Sequence, residues 1–362
     1  MPETHIADLV LSVVRRRWEE AERLVASRRP DPAAFVAQCR ECDVHAWVHH
    51  LLTSEGRTEL VGETTIEALA EMRRKVRYDT MLLLGRAEQA LDLLAGAGVR
   101  PVALKGLDFL HRIYPTVDLR ATDDVDLLIR RGDLTVALEA LREAGWQLPS
   151  EERTTHYIRS SHHLPLRSPG PIHVEFELHW NLAQSERYAI DVDALFDRAV
   201  ALEVAGRQLL RLDDSDVVAH LLIHHFSHYF DRRLKWLVDL QGLDAHGAID
   251  WETVAARVGE WDGTVAAGVS LTHLHKLSPE LIPRQALSAL PVAAWRRLLV
   301  RPLRSPHPLE LFTGTRSRKV QLYLAAVMLE NPSRLPGWLR HRARRDRRQS
   351  DNPLDEGRSA TH

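Results

Sequence analysis

The sequence predicts an α+β fold, a mixed or antiparallel sheet core flanked by N-terminal and C-terminal helical regions, on the strength of three stretches. From Ile6 to about Leu94, apolar residues such as Leu9, Val13, Leu69, Val76 and Leu91 follow the three-and-four spacing of a helix face. In the middle, Val102–Ile129 begins and ends in short strands around a helical segment, and Ile172–Trp180 carries the two-residue alternation of a strand. From Ile249 onward helical spacing returns, with Trp251, Trp261, Leu271 and Leu274 apolar. These stretches divide the chain into a helical region (1–98), an α/β core (99–212), a second helical region (213–339) and a basic, disordered tail (340–362).

Each element has its own signals. Pro30 and Pro32 break the first helices, Gly56 and Gly62 mark a loop, and Gly96-Ala97-Gly98 is a C-cap. Arg73, Arg74, Lys75 and Arg77 form a solvated basic helix face. A short strand ends at Leu104, the chain turns at Lys105-Gly106 into a helical segment reaching Tyr114-Pro115, and a second strand carries Asp124 and Asp126. A helix is expected over Asp133–Ala144, N-capped by Asp133 and closed by Gly145. Short strands are then expected at Trp146–Leu148, His156–Ile158 and His163–Leu166, with a turn at Ser168-Pro-Gly-Pro. After the strand Ile172–Trp180 come a hairpin from Ala201 to Leu210 and a helix from Ser215 to Tyr229, started by Asp213.

Composition narrows the function classes. With 362 residues, 44% hydrophobic and 27% charged, the chain can bury a substantial core. A formal net charge of −2 argues against a polyanion-binding surface over the whole molecule. Cys39 and Cys42, the only cysteines, lack a second pair to complete a zinc site and read as ordinary thiols. There is no basic-then-apolar leader and no run of about eighteen apolar residues. A cytoplasmic protein with no membrane partner is expected.

The chemistry concentrates in a few positions. Asp124 and Asp126 lie two apart, so a strand projects both from one face while Val125 and Leu127 point into the core. Adjacent anions need a cation between them, and Mg²⁺ is the economical one for hard oxygen ligands. In Ile172–Trp180 the apolar face is Ile172, Val174, Phe176, Leu178 and Trp180, and the polar face His173, Glu175, Glu177 and His179. That polar face is either open to solvent or a source of ligands. Arg120 either clamps a triphosphate oxygen or pairs with Asp118 or Asp123. His224 and His228 have a zinc-ligand spacing, with His220 a turn earlier, but no Glu follows the first as in a metalloprotease helix. His225 reads as a packing residue.

The Leu-Lys-Gly turn, Arg120, the Asp-x-Asp strand ending in Leu-Leu-Ile, and the later acidic strand ending in His179-Trp180 together resemble the uncharacterised nucleotidyltransferase family. That family belongs to the DNA-polymerase-β-like nucleotidyltransferase superfamily, and the resemblance runs from about Leu84 to Leu240. It implies a nucleotidyltransferase-type core and metal-dependent transfer of an NMP from an NTP to an acceptor hydroxyl, with release of pyrophosphate. The acceptor is a small molecule, peptide, protein or RNA. By the same resemblance, Asp124, Asp126 and Glu177 are catalytic and hold two Mg²⁺ ions, for which Mn²⁺ can substitute, and Glu175 is the fallback third acid. Lys105, Gly106, Arg120, His179, His224, His228, Lys235 and Asp239 are the implied nucleotide-binding residues. Lys105 stands where the wider superfamily usually has the first glycine of a pair. Two rivals remain: a zinc-dependent hydrolase built on His179, His224, His228 and Glu177, and a catalytically silent nucleotide-binding module. The arginines from Arg340 to Arg348 offer RNA a contact through the tail.

Overall fold

A computed structural model of the chain describes residues 2–339 apart from 205, 229–231, 248, 306, 308 and 311–316; the basic tail expected at 340–362 lies outside the described residues. The architecture is α+β, a six-stranded mixed sheet set among helices. No helix among the described residues is long and apolar enough to cross a membrane.

The N-terminal helices are Pro2–Val14, Trp18–Ser27, Pro32–Glu41 and His45–Ser54, followed by one long helix, Glu63–Gly96. Pro32 starts a helix rather than only ending one. It occupies the first turn, where its missing N–H costs nothing, and the Asp31 side chain accepts from the Ala34 amide at 2.8 Å. The long helix stops at Gly96, and Gly98 turns the chain away with a φ of +77°. Its basic cluster is occupied by local acids: Lys75 binds Asp79, Arg74 binds Glu71, and Arg73 reaches Asp118 at 2.8 Å.

The strands are β1 (Val102–Ala103), β2 (Asp124–Leu128), β3 (His163–Arg167), β4 (Glu175–His179), β5 (Val200–Val204) and β6 (Arg207–Arg211), in sheet order β3-β4-β2-β1-β6-β5. β2 pairs with β4 in parallel and β1 with β6 in parallel; the other pairs are antiparallel. One face of the sheet, with Val125, Leu127, Phe176 and Leu178, packs on Leu83, Leu91 and Leu94 of the long helix and on Leu138 and Leu141 of the helix Leu134–Glu143. Toward the other face, Val102 and Leu128 share a core with the helices Asp214–Ser227, Lys235–His246 and Thr264–Leu277. The pleat therefore aims the acids of β2 and β4 away from the first core and toward the second group of helices.

Four local expectations are corrected. His156–Ile158 is not a strand but part of the helix Glu151–Ser160, whose start is marked by Ser150, with Glu151 and Glu152 in its first turn. Trp146–Leu148 contributes only a single bridge, Gln147 to Arg167. The strand expected from Ile172 begins at Glu175, because Ser168 ties down the preceding turn: its Oγ accepts from Val174 N at 2.9 Å and its carbonyl takes the His173 ring nitrogen at 2.7 Å. Ile172, expected on the apolar face, is accordingly exposed. Asp133 precedes its helix without a side-chain cap, since Arg131–Asp133 forms a 3₁₀ turn first. Asp213 does cap its helix, accepting from Asp216 N at 2.7 Å.

His225 packs between helices, as its place in the sequence suggested. Ser270 Oγ donates to the Leu222 carbonyl at 2.8 Å, so it accepts from His225 Nδ1 at 3.0 Å, and the His225 ring stacks on His273 at 5.7 Å. Trp236 covers His225, with His228 and Lys276 the other charged or titratable neighbours that bear on the pair. Burial pushes both histidines down from 6.5, His225 well below it and His273 to about 4. Neutral rings are therefore built into the fold, and their stabilisation is present above pH 6.5 and lost as pH falls toward 4. Equilibrium unfolding should show a loss on the order of 3 kcal/mol from His273 alone over that window. His273→Gln should flatten this acid limb, and an unchanged slope would contradict the assignment.

Candidate active site

The parallel register of β2 and β4 sets Asp126 beside Glu177 and Asp124 beside Glu175. Glu175 turns outward and binds Arg167 at 2.7 Å, its neighbour on β3. Glu177 stays with the aspartates and shares His179 with Asp126: His179 Nε2 lies 3.0 Å from Asp126 Oδ1 and 3.4 Å from Glu177 Oε2. Asp123 is exposed, apart from this group. The antiparallel neighbour β3 places His163 opposite His179, with His163 Nε2 3.7 Å from Glu177.

Crowded negative charge dominates the electrostatics. Burial, then Asp126 and Glu177, push the Asp124 carboxyl up to about 7. Asp126 lies well below the usual carboxylate range despite its burial, held there by Lys105, His179 and His220. Glu177 is lowered to about 2, burial being outweighed by the hydrogen bond from His179 and by His163. Against its burial, His179 is raised to about 9 by Asp126 and Glu177. The acids are thus partly neutralised by the protein's own cations, and Asp124 is the carboxylate left short of one.

Lys105 enters from the start of the helix Lys105–Arg112. Its Nζ lies 3.8 Å from Asp126 Oδ2 and 3.2 Å from His224 Nδ1. An ammonium only donates, so His224 Nδ1 accepts and its ring proton sits on Nε2. Lys105 also has a φ of +28°, in the region that favours glycine. Lys105→Gly should therefore be more stable to denaturant than Lys105→Ala, by about 1 kcal/mol. Equal midpoints for the two variants would contradict that strain. Gly106 is needed for a different reason: a Cβ there would lie 2.7 Å from Thr122 Cγ2.

The remaining sequence candidates divide. Arg120 pairs with neither Asp118 nor Asp123; it forms a fork with Asp239, Nε and Nη2 each at 2.9 Å from a carboxylate oxygen, and both residues are buried. Tyr114 donates to the same Asp239 at 2.8 Å, and Arg120 donates to Thr122 at 3.0 Å. Arg120 and Asp239 are thus spent on each other, fastening the helix Lys235–His246 to the loop before β2. Lys235 is bound to Asp43 at 2.5 Å and also lowers the Asp124 pKa. His228 ends the helix Asp214–Ser227, its ring 4.5 Å from His224 and 5.6 Å from Trp236. His220 is a neighbour that no motif singled out: it is buried one turn before His224, close enough to Asp126, Lys105 and His179 for their charges to act on it. Its spacing from His224 was the available signal.

Two groups of three metal-ligating side chains among the described residues have donor atoms all within 4.8 Å of one another: Asp126, Glu177 and His179, and His162, His163 and His179. Neither contains His224 or His228, so the zinc-hydrolase set built on His179, His224, His228 and Glu177 is not brought together. The first group, with Asp124 alongside, has the hard carboxylate oxygens that suit Mg²⁺, and its one imidazole is compatible with Mn²⁺.

Residues 8–279 match the model of a family described as an uncharacterised nucleotidyltransferase, a span well beyond the stretch from Leu84 to Leu240 that carried the resemblance. No curated protein and no solved structure matches the chain.

Proposed function

Since the chain belongs to the uncharacterised nucleotidyltransferase family, we propose that it moves an NMP from an NTP to an acceptor hydroxyl, with Asp124, Asp126 and Glu177 as the metal-holding catalytic acids. The observation that supports this proposal is the register of β2 and β4, which sets Asp126 beside Glu177 with donor atoms within 4.8 Å, while Asp124 lies two residues before Asp126 on the same strand, near enough for burial and both acids to push its carboxyl up to about 7. A site with one carboxylate short of a counter-ion is suited to a cation brought in with a polyphosphate.

In the reaction the acceptor oxygen attacks the α-phosphorus, the bond to the bridging oxygen of the β-phosphate breaks, and pyrophosphate leaves. The acceptor's proton passes to Glu177 or, through it, to water. Asp124, Asp126 and Glu177 would hold Mg²⁺, or Mn²⁺ in its place, which would supply charge neutralisation at the triphosphate and lower the pKa of the acceptor hydroxyl. Lys105 sits at a helix start, where first-turn amides and a point charge together favour phosphate oxygens. Half-buried His224, with its proton on Nε2, and buried His220 are both pushed well below 6.5 by burial and are neutral donors on the same side of the site. His179 orients Asp126 and Glu177 through its Nε2. Arg120 and Asp239 act from behind, as the fastening that keeps the helix Lys235–His246 beside the site.

Incubating the protein with each labelled NTP and Mg²⁺, and following pyrophosphate release with candidate hydroxyl acceptors, tests the proposal. Release that needs both the divalent ion and Asp126 supports it. NTP binding without turnover refutes it and favours the catalytically silent nucleotide-binding alternative, and absence of both turnover and metal-dependent NTP binding refutes both readings. RNA among the acceptors tests the expected role of the basic tail.

A further inference from the structure

The second cluster of donors shares His179 with the carboxylate set and takes its other two members from the start of β3, one strand further along the sheet. We propose that His162, His163 and His179 form a binding site for a zinc-class transition metal ion. This goes beyond the transfer reaction and does not depend on it.

The backbone builds this cluster. β3 and β4 pair antiparallel with His163 directly opposite His179, and such partners on one sheet face bring their side chains together. The His162 carbonyl accepts from the amides of Trp180 at 2.9 Å and Asn181 at 3.3 Å, which fixes the start of β3 against the end of β4. The three rings follow: centroids are 4.6 Å apart for His162 and His163, 5.0 Å for His163 and His179, and 5.8 Å for His162 and His179. One donor atom from each lies within 4.8 Å of the others. Closing to the roughly 3.3 Å between nitrogens of a tetrahedral ion with bonds of about 2.0–2.1 Å needs only side-chain rotation.

The donor chemistry selects the ion. Three imidazoles, with Glu177 at 3.7 Å from His163 and 3.4 Å from His179 as the neighbouring carboxylate, suit zinc, copper, nickel or cobalt far better than magnesium or calcium. His179 also has the surroundings of a metal-bound histidine. Its Nε2 faces the carboxylates of Asp126 and Glu177, while its Nδ1 is buried with no hydrogen-bond partner among the described residues. A carboxylate on one ring nitrogen and a metal on the other is the usual arrangement for a histidine ligand, because the carboxylate fixes the ring and its tautomer. Three protein ligands leave a fourth position for water, as at reactive rather than purely structural zinc sites. The shared histidine places this ion next to the nucleotide site.

Full-length protein stripped with chelator and titrated with Co²⁺, then Zn²⁺, tests the site. One equivalent should bind, Co²⁺ giving the intense visible band of a tetrahedral ion, and millimolar Mg²⁺ should not displace it. His162→Gln and His163→Gln should each weaken binding by at least ~10-fold, and the double variant should lose it, with far-UV circular dichroism unchanged. His224→Gln/His228→Gln should bind as the wild type does. Absence of stoichiometric binding to the wild type, or undiminished binding to the His162/His163 double variant, overturns the proposal. Should the variants fail to fold, X-ray absorption of the zinc-loaded wild type decides: a shell of about three imidazole nitrogens supports the site, and one dominated by oxygen or sulfur overturns it.

Discussion

Asp126→Asn is expected to lower kcat/KM for nucleotidyl transfer by ~10³-fold or more while leaving the fold intact, because it removes the charge proposed to hold the metal without changing side-chain shape. Asp126 is the most heavily committed of the acids: it accepts from His179 at 3.0 Å and lies 3.8 Å from the Lys105 ammonium. An amide oxygen can still accept from His179, so packing survives and only charge is lost. Glu175→Gln is the matched control, since Glu175 faces Arg167 at 2.7 Å instead of the cluster. It should retain turnover within a few-fold. Pyrophosphate release measured alongside circular dichroism checks both; Asp126→Asn within tenfold of wild type would remove Asp126 from the chemistry.

The second large effect falls on stability. Asp239→Ala should destabilise the protein by about 3–5 kcal/mol, because it strands the buried Arg120 guanidinium without its counter-ion. Arg120 is 6% exposed and Asp239 fully buried, and Asp239 also receives the Tyr114 hydroxyl. Burial alone would lower the Arg120 pKa, yet Asp239 raises it, so the guanidinium has no accessible neutral state in which to escape the loss. Replacing both partners, Arg120→Met with Asp239→Leu, should recover much of the stability by removing the buried charge altogether. Denaturant midpoints and slopes decide this. A single Asp239→Ala variant within 1 kcal/mol of wild type would show that water reaches and solvates the arginine.

Local periodicity made the shared face of the two aspartates legible in the sequence. Asp124 and Asp126 share a strand face by spacing alone, whereas periodicity left Glu175 and Glu177 equivalent on theirs and only the family resemblance preferred Glu177. Long-range partners were not legible in this way. Arg120 and Asp239 were each assigned to nucleotide, and nothing local reveals that two residues 119 positions apart bind one another. His163 passed as the start of an ordinary strand and His162 was assigned to no element, because their proposed role depends on the register with His179. The helix Glu151–Ser160 was hidden by a short apolar pair, although Ser150 followed by two glutamates was a readable start signal. The strand β4 came out shorter than its alternation because Ser168 claims the residues before it, a tertiary choice that the alternating pattern does not encode.

Crystals grown with NTP and Mn²⁺, with the ion located by anomalous scattering, test the central claim most directly. The account predicts manganese within about 2.2 Å of carboxylate oxygens from both Asp124 and Asp126, with Glu177 joining them and the triphosphate between this ion and Lys105. Manganese absent from those carboxylates, with Glu177 still held only by His179 and the nucleotide elsewhere, would contradict it.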